Sequence, residues 1–233
     1  MRRRRCGRWL LRVAGALALL AAGLAVLWMT TWPDVATLAT GFPETTAFIE
    51  RDKARGVSVR WRPVAYGQIA DDLKLAVLVA EDINFFSHKG FDTSEISNAA
   101  REAIEGKRVR GASTITQQLA KNLWLSPEKT AWRKLEEAVL CWRLERRLTK
   151  RRILELYLNV VQFGPGTYGA AAASARYFGV PPSQLTADQA AQLAASLPRP
   201  SSWHPGVSST GYARHVQRIR GRMERATWLS RLL

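Results

Sequence analysis

Two stretches of this sequence hold residue types that could do acid–base work. "EDINFFSHKG" (residues 81–90) sets Glu81 and Asp82 side by side, followed by Phe85, Phe86 and a lone His88. Surface acids rarely have such neighbours, so the segment is either a catalytic cluster or a helix end charged on one side and apolar on the other. "RKLEE" (residues 133–137) supplies a second adjacent pair, Glu136 and Glu137, behind Arg133 and Lys134. At about 100° per residue, Trp132, Leu135, Val139 and Trp142 form one apolar stripe, expected to be the core face. Leu140, Leu144 and Leu148 form another on nearly the opposite side. Glu137 falls within that second stripe one turn after Arg133, whereas Glu136 falls among Arg143 and Arg147, as a solvated ion pair would. A carboxylate against apolar surface is costly unless paired or used. Glu137 is therefore either functional or the structural partner of Arg133.

A third stretch, "GASTITQQLAKN" (residues 111–122), is dense in hydroxyls and amides: Ser113, Thr114, Thr116, Gln117, Gln118 and Asn122, with Lys121. A helix starting near Ser113 would offer free N–H groups to an anionic or sugar ligand. Capping by Ser113 or Thr114 explains one residue of the run but not the others. Two other motifs carry no function. "SPEK" (residues 126–129) matches S-x-x-K without the two further boxes of penicillin-interacting enzymes, and Ser126 as N-cap with Pro127 at the first helical position accounts for it. "GPGTYG" (residues 164–169) reads as a turn, since Pro165 removes a donor and no strand–helix context surrounds it. His88, His204 and His215 lack the spacing of a structural metal site, and no metal ligand is assigned.

The elements that must position these residues are mostly helical. Apolar residues recur at three and four through most of 63–205, with breaks at "HKGFD", "GKRVRGAS", "LSPEK", "QFGPGTYG" and "GVPPSQ". Residues 33–62 read as a juxtamembrane lead-in of mixed structure. Residues 206–233 end in a basic amphipathic helix that either lies on a membrane or covers the core. At the front, a basic arm (1–12) precedes an uncharged apolar run (13–32) that would span about 30 Å as a helix. Trp28, Met29 and Trp32 close it as interfacial anchors would, which favours an uncleaved anchor over a signal peptide. The arginines before it would keep the N-terminus cytoplasmic and the rest outside. Cys6 and Cys141 would then lie on opposite sides and could not pair. The net charge is +16; setting aside the six arginines of the arm leaves 29 basic against 19 acidic residues, a balance of +10. A basic domain held at a membrane suggests an anionic partner in that plane, phospholipid or a phosphorylated lipid substrate, and the compartment argues against nucleic acid.

"EDINFFSHKG", "GASTITQQLAKN", "RKLEE" and "KRRILELYLN", in this order, resemble the peptidoglycan glycosyltransferases, and "FGPGTYGAAAASARYFG" and "LAASLPRPSSWHP" continue the pattern over roughly 63–205. Without a transpeptidase domain following, the chain is similar to the monofunctional type. The resemblance implies a mainly α, lysozyme-like domain with a small membrane-associated jaw lobe. It implies polymerisation of lipid II into β-1,4 glycan strands outside the inner membrane, by inversion, with undecaprenyl pyrophosphate released. It makes Glu81 the general base and Glu137 the second glutamate, the one that helix phase also singles out. Arg133, Lys134 and Lys121 become candidates for supporting the leaving pyrophosphate. Glu137 would orient them, or a divalent cation (magnesium or manganese) there. Asp82, Phe85 and His88 match positions that shape the surroundings of Glu81, and Ser113, Thr114, Gln118 and Asn122 match substrate-binding positions. Expected partners are lipid II, the growing strand, the membrane, and proteins of cell-wall synthesis or division. Arg110 departs from the glycine many members carry before "GASTITQQ". Two rivals remain. A lysozyme-like lytic enzyme would need no pyrophosphate cradle. A non-catalytic membrane-tethered scaffold would tolerate loss of both glutamates.

Overall fold

Threonines set where many of the helices begin. Thr46, Thr114, Thr130, Thr149 and Thr186 each have extended backbone, and each side-chain oxygen accepts the N–H three residues on. This satisfies one of the donors a helix start leaves open, worth about 1 kcal/mol each. The structure is a computed structural model describing residues 2–30, 32–105, 113–128 and 130–233, with side chains at 2–11, 21, 25, 29, 99, 100, 103 and 104 outside the description. Cys6, the arginines at 2–5 and 8, Arg110, Gly111 and Lys129 thus fall outside what can be compared with the sequence reading.

Two units divide the chain between Asp34 and Val35. The first holds one helix, α1 (Arg2–Thr30). Its described leucines and valines, from Val13 to Leu27, are exposed, and Trp28 and Trp32 meet edge to face with ring centres 4.7 Å apart. Among the described residues no helix is long and apolar enough to cross a membrane. The transmembrane helix expected over 13–32 is therefore not supported.

The second unit is mainly helical, as expected. It runs through α2 (Ala47–Ala54), β1 (Arg60–Trp61), α3 (Asp71–Glu81), α4 (Thr93–Ile104), α5 (Ile115–Trp124), α6 (Ala131–Arg147), α7 (Lys150–Val160), β2 (Gln162–Gly164), β3 (Thr167–Tyr168), α8 (Gly169–Phe178), α9 (Ala187–Ser196) and α10 (Thr210–Arg225). α3 is the central element. Asp71 and Asp72 complement the dipole of its first turn, and Leu73 through Val79 are buried on every side, packed against α9 and α10. α5 packs between α6 and α7.

Residues 35–62 are part of this unit. β1 pairs in parallel with β3, and β3 antiparallel with β2, a small sheet for which the sequence offered no alternating run. The Trp61 indole donates to the Asn159 carbonyl at 2.7 Å. The Asn159 side chain accepts from the Val64 N–H and donates to the Val64 carbonyl, at 2.8 and 2.9 Å.

Two expectations are corrected. The stripe of Trp132, Leu135 and Trp142 does not face the core: these residues are 56%, 48% and 52% exposed, and Val139 is half-buried. The packed face of α6 is Glu137, Leu140, Cys141 and Leu144. Both stripes are apolar, so helical phase alone could not say which one met α5. Ser126 is not an N-cap either; Thr130 takes that place, its Oγ1 accepting the Arg133 N–H at 3.1 Å, and α6 starts four residues later than Pro127 would have started it. The C-terminal alternative resolves for α10, whose Tyr212, Val216, Ile219 and Met223 are buried and cover the core.

Candidate active site

Glu81 is the last residue of α3, and the chain leaves the helix at Asp82 with extended φ (−163°). This places two adjacent carboxylates on different paths. Asp82 turns inward. Its carboxylate accepts the Ile115 N–H at 3.0 Å and the His88 Nε2–H at 3.0 and 3.1 Å. The Gly90 N–H donates to His88 Nδ1 at 3.1 Å, which fixes Nε2 as the protonated ring nitrogen. Asp82 thereby ties the end of α3 to the start of α5.

Glu81 lines a cleft of about 670 Å³ with Ser113 and Gln118, and Asp82 borders the same cleft while its carboxylate is held by the bonds above. The Gln118 amide donates to Glu81 Oε2 at 2.7 Å. The fully buried Tyr157 donates its hydroxyl to Gln118 Oε1 at 2.9 Å, so the amide can point only its N–H₂ at the carboxylate. Burial raises the Glu81 pKa; the Gln118 bond and the Lys121 charge work against this, the Asp82 charge with it, and the net shift is upward. A carboxylate so placed is a better proton acceptor than a solvated one.

The "HKG" of the first motif is structural. Gly90 has φ +88°, and a Cβ there would sit 2.7 Å from Cys141 Sγ. Its carbonyl accepts from the Thr114 hydroxyl at 2.6 Å. Thr114 and Gln117 complete a capping box at the start of α5, so Thr114 is the cap, and it lines the cleft together with Ser113. Phe85 is fully buried beneath the Lys150 ammonium, 4.3 Å from its ring centre. Asn122 is also buried. These two lie outside the cleft lining and pack behind it.

Glu137 is buried, 3% exposed. Arg133 Nη1 donates to one of its oxygens at 2.6 Å, and Lys134 Nζ pairs with the other. Glu136 is only half-buried and, among the described residues, is in no ion pair with a cation. Lys121, on α5, lies between the two glutamates. Its pKa is lowered first by burial and also by the Arg133 and Lys134 charges, while Glu137 and Glu81 both pull it up.

Two donor sets are candidates for a metal site. Asp82, His88 and Asp92 bring ligand atoms within 4.8 Å of one another. Asp82 and His88 are committed to the bonds above. Asp92 accepts from Asn84 at 2.9 Å and from the Ser94 and Glu95 N–H groups at 3.0 and 3.1 Å. Burial alone would raise its pKa, but these bonds, with that of the Ser94 hydroxyl, hold it at about 2. It is the N-terminal cap of α4, and both oxygens of Glu137 already face cations. Neither set fits a resident ion without breaking bonds that hold the fold.

Sequence reasoning missed Tyr157, Gly90 and the C-terminal side of the cleft, where Arg218, Arg222, Arg225 and Trp228 face Glu81. Tyr157 sits in the quoted "LELYLN", but a tyrosine at core spacing gives no sign of its role.

Known proteins are similar to this chain over most of its length. The transglycosylase family profile matches residues 51–224. The chain is similar to the biosynthetic peptidoglycan transglycosylase of Alcanivorax borkumensis, 47% identical over 216 residues covering 92% of this chain and 82% of that protein. Proteins of the same name from Azoarcus sp. and Laribacter hongkongensis are 44% and 41% identical over 224 residues, covering 93% of this chain and 95% and 96% of theirs. With the profile spanning most of the chain and relatives matched nearly end to end, this chain belongs to the transglycosylase family.

Proposed function

We propose that the protein is a monofunctional peptidoglycan glycosyltransferase that polymerises lipid II, an undecaprenyl-pyrophosphate-linked disaccharide pentapeptide, into β-1,4 glycan strands. The observation that carries this reading is the contrast between the two glutamates. Glu81 stands at a cleft wall with neutral donors and a raised pKa, while Glu137 is locked between two cations.

Glu81 takes the proton of the acceptor 4-hydroxyl as its oxygen attacks C1 of the donor sugar from the face opposite the pyrophosphate. The C1–O bond to pyrophosphate breaks with inversion, and the leaving group takes the electron pair. Arg133, Lys134 and Lys121 stabilise the developing charge on it. Glu137 holds those cations in place. The lysozyme-like lobe and a smaller jaw belong to the same reading; a lytic rival would leave the cations of α6 without a task.

Placement at the outer face of the inner membrane is also part of the proposal, with 1–12 inside and 13–32 as the anchor. It is supported by the apolar sequence of that run and the exposed leucines of α1. Within the second unit, the exposed Trp132, Leu135 and Trp142, with Ile96 of α4, suit contact with lipid. The test is an assay of purified protein on lipid II, with products read by mass spectrometry. Polymer with release of undecaprenyl pyrophosphate supports the reading; fragments from sacculi and no polymer from lipid II overturn it.

A further inference from the structure

α10 has a second edge beside the one that covers the core. Arg218, Arg222 and Arg225 follow one another at four and three residues, a row of about 10 Å along one side of a helix. All three line the cleft that holds Glu81 and Gln118, with Trp228 just beyond. Arg222 is fixed there: its Nη1 donates to the Val79 carbonyl at 3.0 Å, one of the open carbonyls in the last turn of α3, two residues from Glu81. Arg218 and Arg225 are exposed and, among the described residues, pair with no carboxylate. Arg220, outside the cleft lining on the same helix, does pair, with Asp188 at 3.0 Å. His215 also lines the cleft, and its Nε2 is buried with no hydrogen-bond partner among the described residues. Glu81, Asp82, Asp92 and Glu95 line the same cleft, but among the described residues none of them pairs with these arginines, and three cations along one wall repel one another and attract an anion.

We propose that Arg218, Arg222 and Arg225 form an anion subsite for the glycosyl acceptor, holding its acidic groups, pyrophosphate or stem-peptide carboxylates. The proposal rests on the function given above. That reaction joins two anionic molecules, and the Arg133–Lys134–Lys121 set on α5 and α6 serves only the one that loses its pyrophosphate. The general base must meet the acceptor, and among the described residues the α10 cations are the ones that share its cleft. Arg222 links the two by holding the helix end that carries Glu81.

The test is binding to the full-length protein, so it does not depend on turnover. The variant is R218Q/R225Q, which spares Arg222 and its bond to α3. Titration with inorganic pyrophosphate should find two sites in wild type and one in the variant if pyrophosphate is the source. Titration with free stem pentapeptide should show an affinity loss of about tenfold if the carboxylates are, the size expected for lost charge-assisted bonds. R218K/R225K should keep most of the binding, and R214Q/R220Q, outside the cleft, should keep all of it. In polymerisation, R218Q/R225Q should raise the half-saturating lipid II concentration with little change in kcat. Binding of both probes unchanged in R218Q/R225Q, or weakened equally in R214Q/R220Q, overturns the subsite. A wild-type protein that binds these anions but makes no polymer would instead overturn the function.

Discussion

The end of α3 half-buries a glutamate at a cleft and the packed face of α6 buries one outright, and the two are held differently. At Glu81 the partners are a neutral amide and, behind it, a neutral phenol, so burial wins and the carboxyl holds its proton more tightly. At Glu137 both oxygens meet cations on the same helix. The first arrangement leaves a carboxylate able to take up a proton. The second leaves one able to hold a guanidinium and an ammonium in position. Sequence spacing shows two acids near apolar surface; only the partners divide the labour.

The largest way to break this comparison is at the base. Glu81→Gln should lower polymerisation by about 10²–10⁴-fold, the usual cost of a missing general base, with helical circular dichroism unchanged. Activity within tenfold of wild type would remove Glu81 from the role.

Glu137→Gln should cost about 10²-fold, because Arg133 and Lys134 lose the group that aims them. Glu136→Gln, half-buried and outside the ion-pair set, should stay within about twofold. Equal damage from the two substitutions would contradict the assignment.

Smaller effects sharpen the electrostatics. The Gln118 bond lowers the Glu81 pKa against the upward pull of burial. Gln118→Leu should therefore move the acid limb of the rate profile to higher pH, since the base then needs a higher pH to be deprotonated. A downward shift would mean that the amide destabilises the carboxylate.

The smallest effect concerns the membrane. Removing residues 1–32 should leave activity in detergent intact and lower it about tenfold on bilayer-embedded substrate, through lost local concentration. The loss should be steeper at high salt, which screens attraction to anionic lipid. Equal rates on liposomes at high salt would contradict the role given to the anchor.

Much of this was legible in the chain. The phase of α6 picked Glu137 over Glu136 because one residue turns a side chain by about 100°. The same phase failed for Trp132 and Trp142, since an apolar stripe left exposed reads in the sequence like one packed in a core. Thr114 looked like a ligand residue within a polar run, yet its hydroxyl is spent between the Gln117 N–H and the Gly90 carbonyl. Tyr157 and the α10 arginines were illegible for another reason. Their roles depend on contacts across 39 residues to Gln118 and 143 to Val79, which no local pattern records.

The measurement that bears most directly on the two roles is the pH dependence of kcat/KM for lipid II polymerisation by Glu81→Gln and Glu137→Gln beside wild type. Wild type should show an acid limb above the ordinary carboxylate range, because burial raises the group that must be deprotonated. Glu137→Gln should be slower at every pH and keep that limb, since its base is intact. Glu81→Gln should lose the limb along with most of its rate. An unchanged limb in the residual activity of Glu81→Gln, or its disappearance in Glu137→Gln, would contradict the division of labour between the two glutamates.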